Sequence, residues 1–288
     1  MELLRALGVL CEAPTAEHTV LSRALGLPEA APADWTDAFL AGAPPYASIY
    51  VGAEGMIGGE ARDRVAGFWR ALGLTPPAEP DHLASLLSLY TALAEAQAQT
   101  PGAGGVLRGQ ARHALLAEHL LPWSGVYLGA IERIAGRAYR AWAALLGQAL
   151  AHEAAQLQSP YMLSAHLRAA PGLPGPEAGL DELIDALLTP VRTGLILTRA
   201  DLATAARALG VGIRLGERRA GLRDLIGQDA GATLRWLAAR AEEAAHADAE
   251  TGAPAVTAVA DFWRTRAGAA AALLHEAAAG VPSVERSG

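Results

Sequence analysis

A chain of 288 residues, 52% hydrophobic and 18% charged, can bury a sizeable core without metals or disulfides and is too apolar to be disordered. Its net charge of −7, with every basic residue an arginine, weighs against general nucleic-acid binding and favours a basic partner. Cys11 is the only cysteine, which excludes an intrachain disulfide and fits a reducing compartment.

The N-terminal stretch "MELLRALGVLCEAP" is too short in its apolar run for an export signal. It also carries Glu2 where positive charge is expected and a bulky Leu10 before Cys11. No membrane span is expected, because no apolar run approaches about 18 residues. Nearly every later segment has helical periodicity. "TAEHTVLSRALGL" offers Thr15 as a cap and Gly26 as a stop. "GGEARDRVAGFWRALGL" sets Val65, Phe68, Trp69 and Leu72 on one face and stops at Gly73. In "DHLASLLSLYTALAEAQAQ", Leu83, Leu86, Leu87, Tyr90 and Leu93 share a face. "GVLRGQARHALLAEHLLPW" is expected to end near Pro122. A long helix or helix pair follows, with Ile131, Ile134, Ala138, Trp142 and Leu145 in register.

"RAAPGLPGPEAGL", Arg168 to Leu180, holds three prolines and three glycines and reads as a linker. Beyond it come the short "DELIDALL" and then "LTRADLATAARALG", with Thr198 and Asp201 in capping-box positions and Gly210 as the stop. "GERRAGLRDLIGQ" and "DAGATLRWLAARAEEAAHA" follow, Asp229 capping the second. A last helix is expected from about Pro254 to Ala279, with the tail "VPSVERSG" frayed. No segment sustains a period of two, so the fold is expected to be all-α. The domains are expected at 1–167 and 181–288, joined by the linker 168–180.

The segment "EPDH" places Glu79, Pro80, Asp81 and His82 at a helix mouth. Its simplest account is structural. Pro80 keeps Glu79 out of the helix, Asp81 caps the helix that follows, and both carboxylates suit the positive end of its dipole. Catalysis finds little support, since no nucleophile motif accompanies the acid–histidine pair. No metal-ligand pattern emerges either: His113 and His119, six apart, lie on different faces of a helix. No phosphate loop or cofactor-binding pattern is present. Catalytic residues, metal and cofactor are all expected to be absent.

"EPDHLASLLSLYTAL" resembles the signature region of the TorD/DmsD/NarJ family, chaperones for the maturation of molybdenum-cofactor enzymes. "PPYASIYVG", Pro44 to Gly52, is similar to that family's Pro-Pro-aromatic segment. "FWRALGL" is similar to the helix before the acidic motif, and "LLAEHLLPW", Leu115 to Trp123, to its His-Leu-x-x-Trp helix end. Order and spacing agree over roughly Thr15 to Leu157. The resemblance implies a helical bundle of the TorD type, here with an additional C-terminal helical region. It implies a cytoplasmic protein without catalysis of its own. Such a protein binds the N-terminal twin-arginine signal of a molybdenum-cofactor oxidoreductase's catalytic subunit and holds it back until cofactor is inserted. By position the implied peptide-binding residues are Tyr46, Tyr50, Glu79, Pro80, Asp81 and His82, with His119 and Trp123 as weaker candidates. Tyrosines stand here where members often carry tryptophan, which makes the segment more polar. Core packing is an equally good account of the two tyrosines and the better one for Trp69, Trp123 and Trp142. A homodimer formed by helix exchange is compatible with the long linker. Client and nucleotide binding are not legible.

The alternative is a helix–turn–helix regulator built on residues 198–226, where Arg207, Arg214, Arg218, Arg219 and Arg223 cluster. Against it stand the acidic chain, Glu217 and Asp224 among those arginines, and the long connection "GVGIRLGE". The milder reading pairs the arginines with acidic side chains or with the client.

Overall fold

The computed structural model describes residues 1–157, 162–175, 177–214, 216–247 and 253–281. Among these there is no β-strand, and the chain is all-α. It divides into two compact units, one of Met1–Ala170 with Glu250–Ala260, the other of Pro171–Ala249 with Asp261–Gly288.

The first unit contains α1 (Glu2–Val9), α2 (Ala16–Ala24), α3 (Pro32–Trp35), α4 (Ala47–Val51), α5 (Gly59–Ala71), α6 (Leu83–Gln99), α7 (Ala103–Leu115), α8 (Leu121–Ile134), α9 (Arg137–Ala154) and α10 (Ala165–Arg168). Helix α6 packs on α1 and α7, and α8 packs on α9. The predicted faces do the packing: Leu83, Leu86, Leu87, Tyr90 and Leu93 of α6 are all buried. The tryptophans divide. Trp123 and Trp142 are core residues, whereas Trp69 is half-buried. On α9 the face turns by one residue, so that Leu146 rather than Leu145 is the fully buried leucine. The long segment after Trp123 is a pair of helices, broken at Ala135 and Gly136.

Pro122 does not end a helix as expected. Leu116–Leu120 form a π-helical stretch that leads from α7 straight into α8, with Pro122 in the first turn of α8. Pro122 has no N–H to donate, and it sits where the π-helical hydrogen bonding of Leu116–Leu120 gives way to α8.

The second unit contains α11 (Leu180–Leu187), α12 (Pro190–Thr193), α13 (Arg199–Leu209), α14 (Arg218–Gln228), α15 (Ala230–Ala245) and α16 (Pro254–Gly280) from Asp261 onward. Ile184, Leu187, Leu222, Leu225, Leu234, Leu237 and Leu274 form its core. The expected caps are in place. Thr198 and Asp201 close a reciprocal capping box, Gly210 ends α13 in the left-handed region, and the Asp229 carboxylate accepts from Ala232 N at 2.9 Å. The arginines of the supposed recognition helix are engaged within the unit. Arg218 donates to the Leu197 carbonyl at 2.9 Å, Arg219 pairs with Asp181 and Asp185 of α11, and Arg223 pairs with Asp181. The expected linker is non-helical between Ala169 and Gly179 wherever it is described. The tail expected to fray, from Pro282 on, lies outside the described residues.

Candidate functional site

The two segments singled out in the sequence meet. Tyr46 and His82 form a single antiparallel bridge. Within it Ala47 N donates to the Asp81 carbonyl at 3.0 Å and Leu83 N to the Pro45 carbonyl at 2.8 Å. The bridge brings "PPY" against "EPDH" just where α4 and α6 begin.

Asp81 does not cap its own helix. It is 1% exposed, and its Oδ2 accepts from Ser48 N at 3.0 Å. Its carbonyl and carboxylate thus take the first two N–H groups of α4, donors that no residue inside the helix can satisfy. Ser48 is itself fully buried, and its hydroxyl accepts from Gly58 N at 3.1 Å, which ties down the turn before α5. The cap of α6 is His82, whose Nδ1 accepts from Ala84 N at 3.1 Å. An accepting Nδ1 puts the ring proton on Nε2. Burial lowers the pKa of His82 against the opposing pull of Glu79, Glu12 and Asp81, so the neutral ring that the cap requires is favoured.

Two groups of this cluster reach the surface. Tyr46 donates its hydroxyl to Glu79 Oε1 at 2.9 Å, and its ring sits edge-on to His82 with centroids 4.9 Å apart. Partial burial and the bond to Glu79 push the Tyr46 hydroxyl up to about 12, so it stays protonated as the donor. Glu79 is exposed, while Pro80 is buried beneath it. The surface therefore offers one carboxylate beside one aromatic ring, positioned by a buried carboxylate.

The other candidates lie deeper. Tyr50 is 1% exposed, bonds the Pro44 carbonyl at 2.8 Å and stacks parallel on Trp123 at 5.4 Å. Trp123 is fully buried and donates its indole N–H to the His119 carbonyl at 2.9 Å. Both form the aromatic floor under the bridge. His119 stands apart from Tyr46 and Glu79. Its ring meets Phe68 and His166, the latter at 5.8 Å, and its Nδ1 is buried without a hydrogen-bond partner among the described residues. Burial lowers both histidines to about 4. Ser48 was missed in the sequence. The only local signal was a helix starting after two prolines without a capping side chain of its own. Among the described residues, no group of three or more histidine, cysteine or acidic side chains could hold a metal ion. No helix there is long and apolar enough to cross a membrane.

The stretch that holds the bridged "PPY" and "EPDH" segments is similar to a known class, the NarJ/TorD-like molybdoenzyme chaperones. Residues 10–128 match the nitrate reductase delta subunit family. All eight candidate residues fall inside the match, and residues 129–288 lie outside it. A comparison with curated proteins finds no match.

Proposed function

We propose that this protein is a cytoplasmic maturation chaperone for the catalytic subunit of a molybdenum-cofactor oxidoreductase. It holds the subunit's N-terminal, twin-arginine signal region until cofactor is inserted and performs no catalysis of its own. The observation that carries the reading is the exposed Glu79 carboxylate, held by the Tyr46 hydroxyl at 2.9 Å within the family-matching segment. A carboxylate attracts a guanidinium by charge-assisted hydrogen bonds. The adjacent Tyr46 ring gives the flat side of a guanidinium a face to stack on. Asp81, buried against Ser48, acts as a positioning residue for that pair rather than as a contact. The acidic chain steers a basic segment toward it.

Affinity purification of the tagged full-length protein from its native host tests the reading. A molybdenum-cofactor oxidoreductase subunit should co-purify and should be lost when its N-terminal segment is deleted. Recovery that is indifferent to that segment would refute recognition through the signal region.

A further inference from the structure

His82 stands under two opposed demands. As the cap of α6, its Nδ1 must keep a lone pair for Ala84 N at 3.1 Å. A protonated Nδ1 cannot accept that bond. It would also set an imidazolium against the unpaired N–H groups and the positive dipole end of α6. Partial burial of the ring adds to the cost of charging it.

The surrounding charges pull the other way. Those acting on the ring are the exposed carboxylates of Glu79 and Glu12 and the buried one of Asp81. Glu12 lies in the turn after α1, and α1 packs closely on α6 at Gly8, where an added Cβ would lie 3.3 Å from Leu87 Cβ. Asp81 is committed to Ser48 N at 3.0 Å. Across the bridge, Tyr46 sets its ring edge-on to His82 and donates to Glu79 at 2.9 Å. Burial keeps Tyr46 and Cys11 protonated and so uncharged. Two further basic groups bond backbone carbonyls here. Arg62 of α5 donates to that of Ala78 at 3.1 Å, with Asp63 beside it, and His18 of α2 meets that of Glu12 at 3.2 Å. Glu79 therefore stands between two cations, the imidazolium that His82 becomes on protonation and the guanidinium of a client.

We propose that client binding is coupled to protonation of His82. The neutral ring caps α6 and leaves Glu79 to the client's arginine. The protonated ring gives up the cap, pairs with Glu79 and Glu12, and opposes a second cation beside it. A client that meets the protonated protein sends one proton from Nδ1 to solvent as it binds, and by linkage acid releases the client. The proposal rests on the signal-region reading above and adds its control by pH. The ring's ordinary value of 6.5 is lowered here, so the binding form is complete at pH 7.5 and is lost as pH falls below 6.5.

Calorimetric titration of the full chain with a peptide of two consecutive arginines flanked by alanines tests it at pH 7.5 and pH 5, with thermal melts showing the protein folded at both. Wild-type affinity should fall several-fold between the two, since each pH unit below the point where His82 titrates removes up to about tenfold of the binding form. His82→Asn keeps a capping acceptor but cannot titrate, and it should lose less than about twofold over the same range. Glu79→Gln removes the contested carboxylate and should bind more weakly than wild type at pH 7.5. At pH 5 the wild-type binding enthalpy should differ between two buffers of different ionisation enthalpy, which reports the released proton without any substitution. An equal pH response in His82→Asn and wild type, or a wild-type enthalpy that ignores the buffer, overturns the coupling. If Glu79→Gln is then still the weaker binder at pH 7.5, the signal-region reading stands. No binding to wild type at pH 7.5, or no loss with Glu79→Gln, overturns the two together.

Discussion

Asp81 and Ser48 are joined by a buried hydrogen bond, from Ser48 N to Asp81 Oδ2 at 3.0 Å, across 33 residues of chain. The bond fixes the start of α4 to the mouth of α6 and so sets where Tyr46 and Glu79 stand. Asp81→Ala leaves the Ser48 N–H buried without an acceptor, which should cost about 1–3 kcal/mol. Asp81→Asn keeps an acceptor oxygen and should cost less. Urea unfolding of both variants checks this, and equal losses would show that the charge rather than the hydrogen bond matters.

At Glu79 the expectation is reversed, with stability unchanged and binding weakened. The side chain is exposed, so Glu79→Gln should leave the melting temperature where it is. Its loss should cost an arginine-pair peptide on the order of 1 kcal/mol, the range of exposed ion pairs, and the difference should shrink as salt rises. Titration at low and high ionic strength decides it. An effect independent of salt would argue against a guanidinium contact.

His119 and His166 make the first unit acid-sensitive. Both are lowered from 6.5 to about 4, chiefly by burial, with Arg64 adding repulsion in both, His166 in the first, and Glu60 opposing in the second. Between pH 6.5 and 4 the unfolded chain therefore binds more protons than the folded one. Stability falls as pH drops through that window and levels off below it. Unfolding free energies at pH 7 and pH 5 should differ by roughly 2 kcal/mol for each of the two histidines. His166→Phe should flatten the slope, and an unchanged slope would place the acid sensitivity elsewhere.

Arg112 and Glu153 form a largely buried pair. Their N···O distance is 3.5 Å and their side chains are 16% and 12% exposed. Tyr90 adds its hydroxyl to the same Glu153 oxygen at 2.6 Å, and Arg112 lies over the Tyr90 ring at 5.5 Å. Glu153→Ala strands the guanidinium and should destabilise by about 3–5 kcal/mol, while replacing both partners by apolar residues should cost much less. Denaturation of single and double variants separates the two cases. Additive losses would mean that the pair does not act as a unit.

In the second unit, Gly194 has φ +71°, and a Cβ there would lie 2.6 Å from both Trp263 O and Ala267 N. Backbone cannot yield as a flexible side chain does. Gly194→Ala should therefore cost about 1–3 kcal/mol through positive φ and overpacking together, read as a lowered thermal midpoint. A neutral substitution would mean that α16 shifts away from Gly194 at little cost.

Whatever is completed within one turn of helix is legible along the chain. The apolar face of α6, the Thr15 cap, the Thr198–Asp201 capping box, the Gly210 stop and the Asp229 cap all involve residues a few positions apart, and the structure has each of them. The motif residues were visible too, but not their division of labour. Asp81 had two helices competing for its carboxylate, and sequence spacing pointed to the nearer one. Tertiary structure gave it to α4, because the Tyr46–His82 bridge delivers the unsatisfied N–H groups of Ala47 and Ser48 to it while His82 caps α6 instead. The same pairing leaves Glu79 exposed, and stacking on Trp123 puts Tyr50 into the core. Local capping follows from spacing along the chain, whereas which carboxylate faces a partner depends on which orphan donors the fold brings beside it.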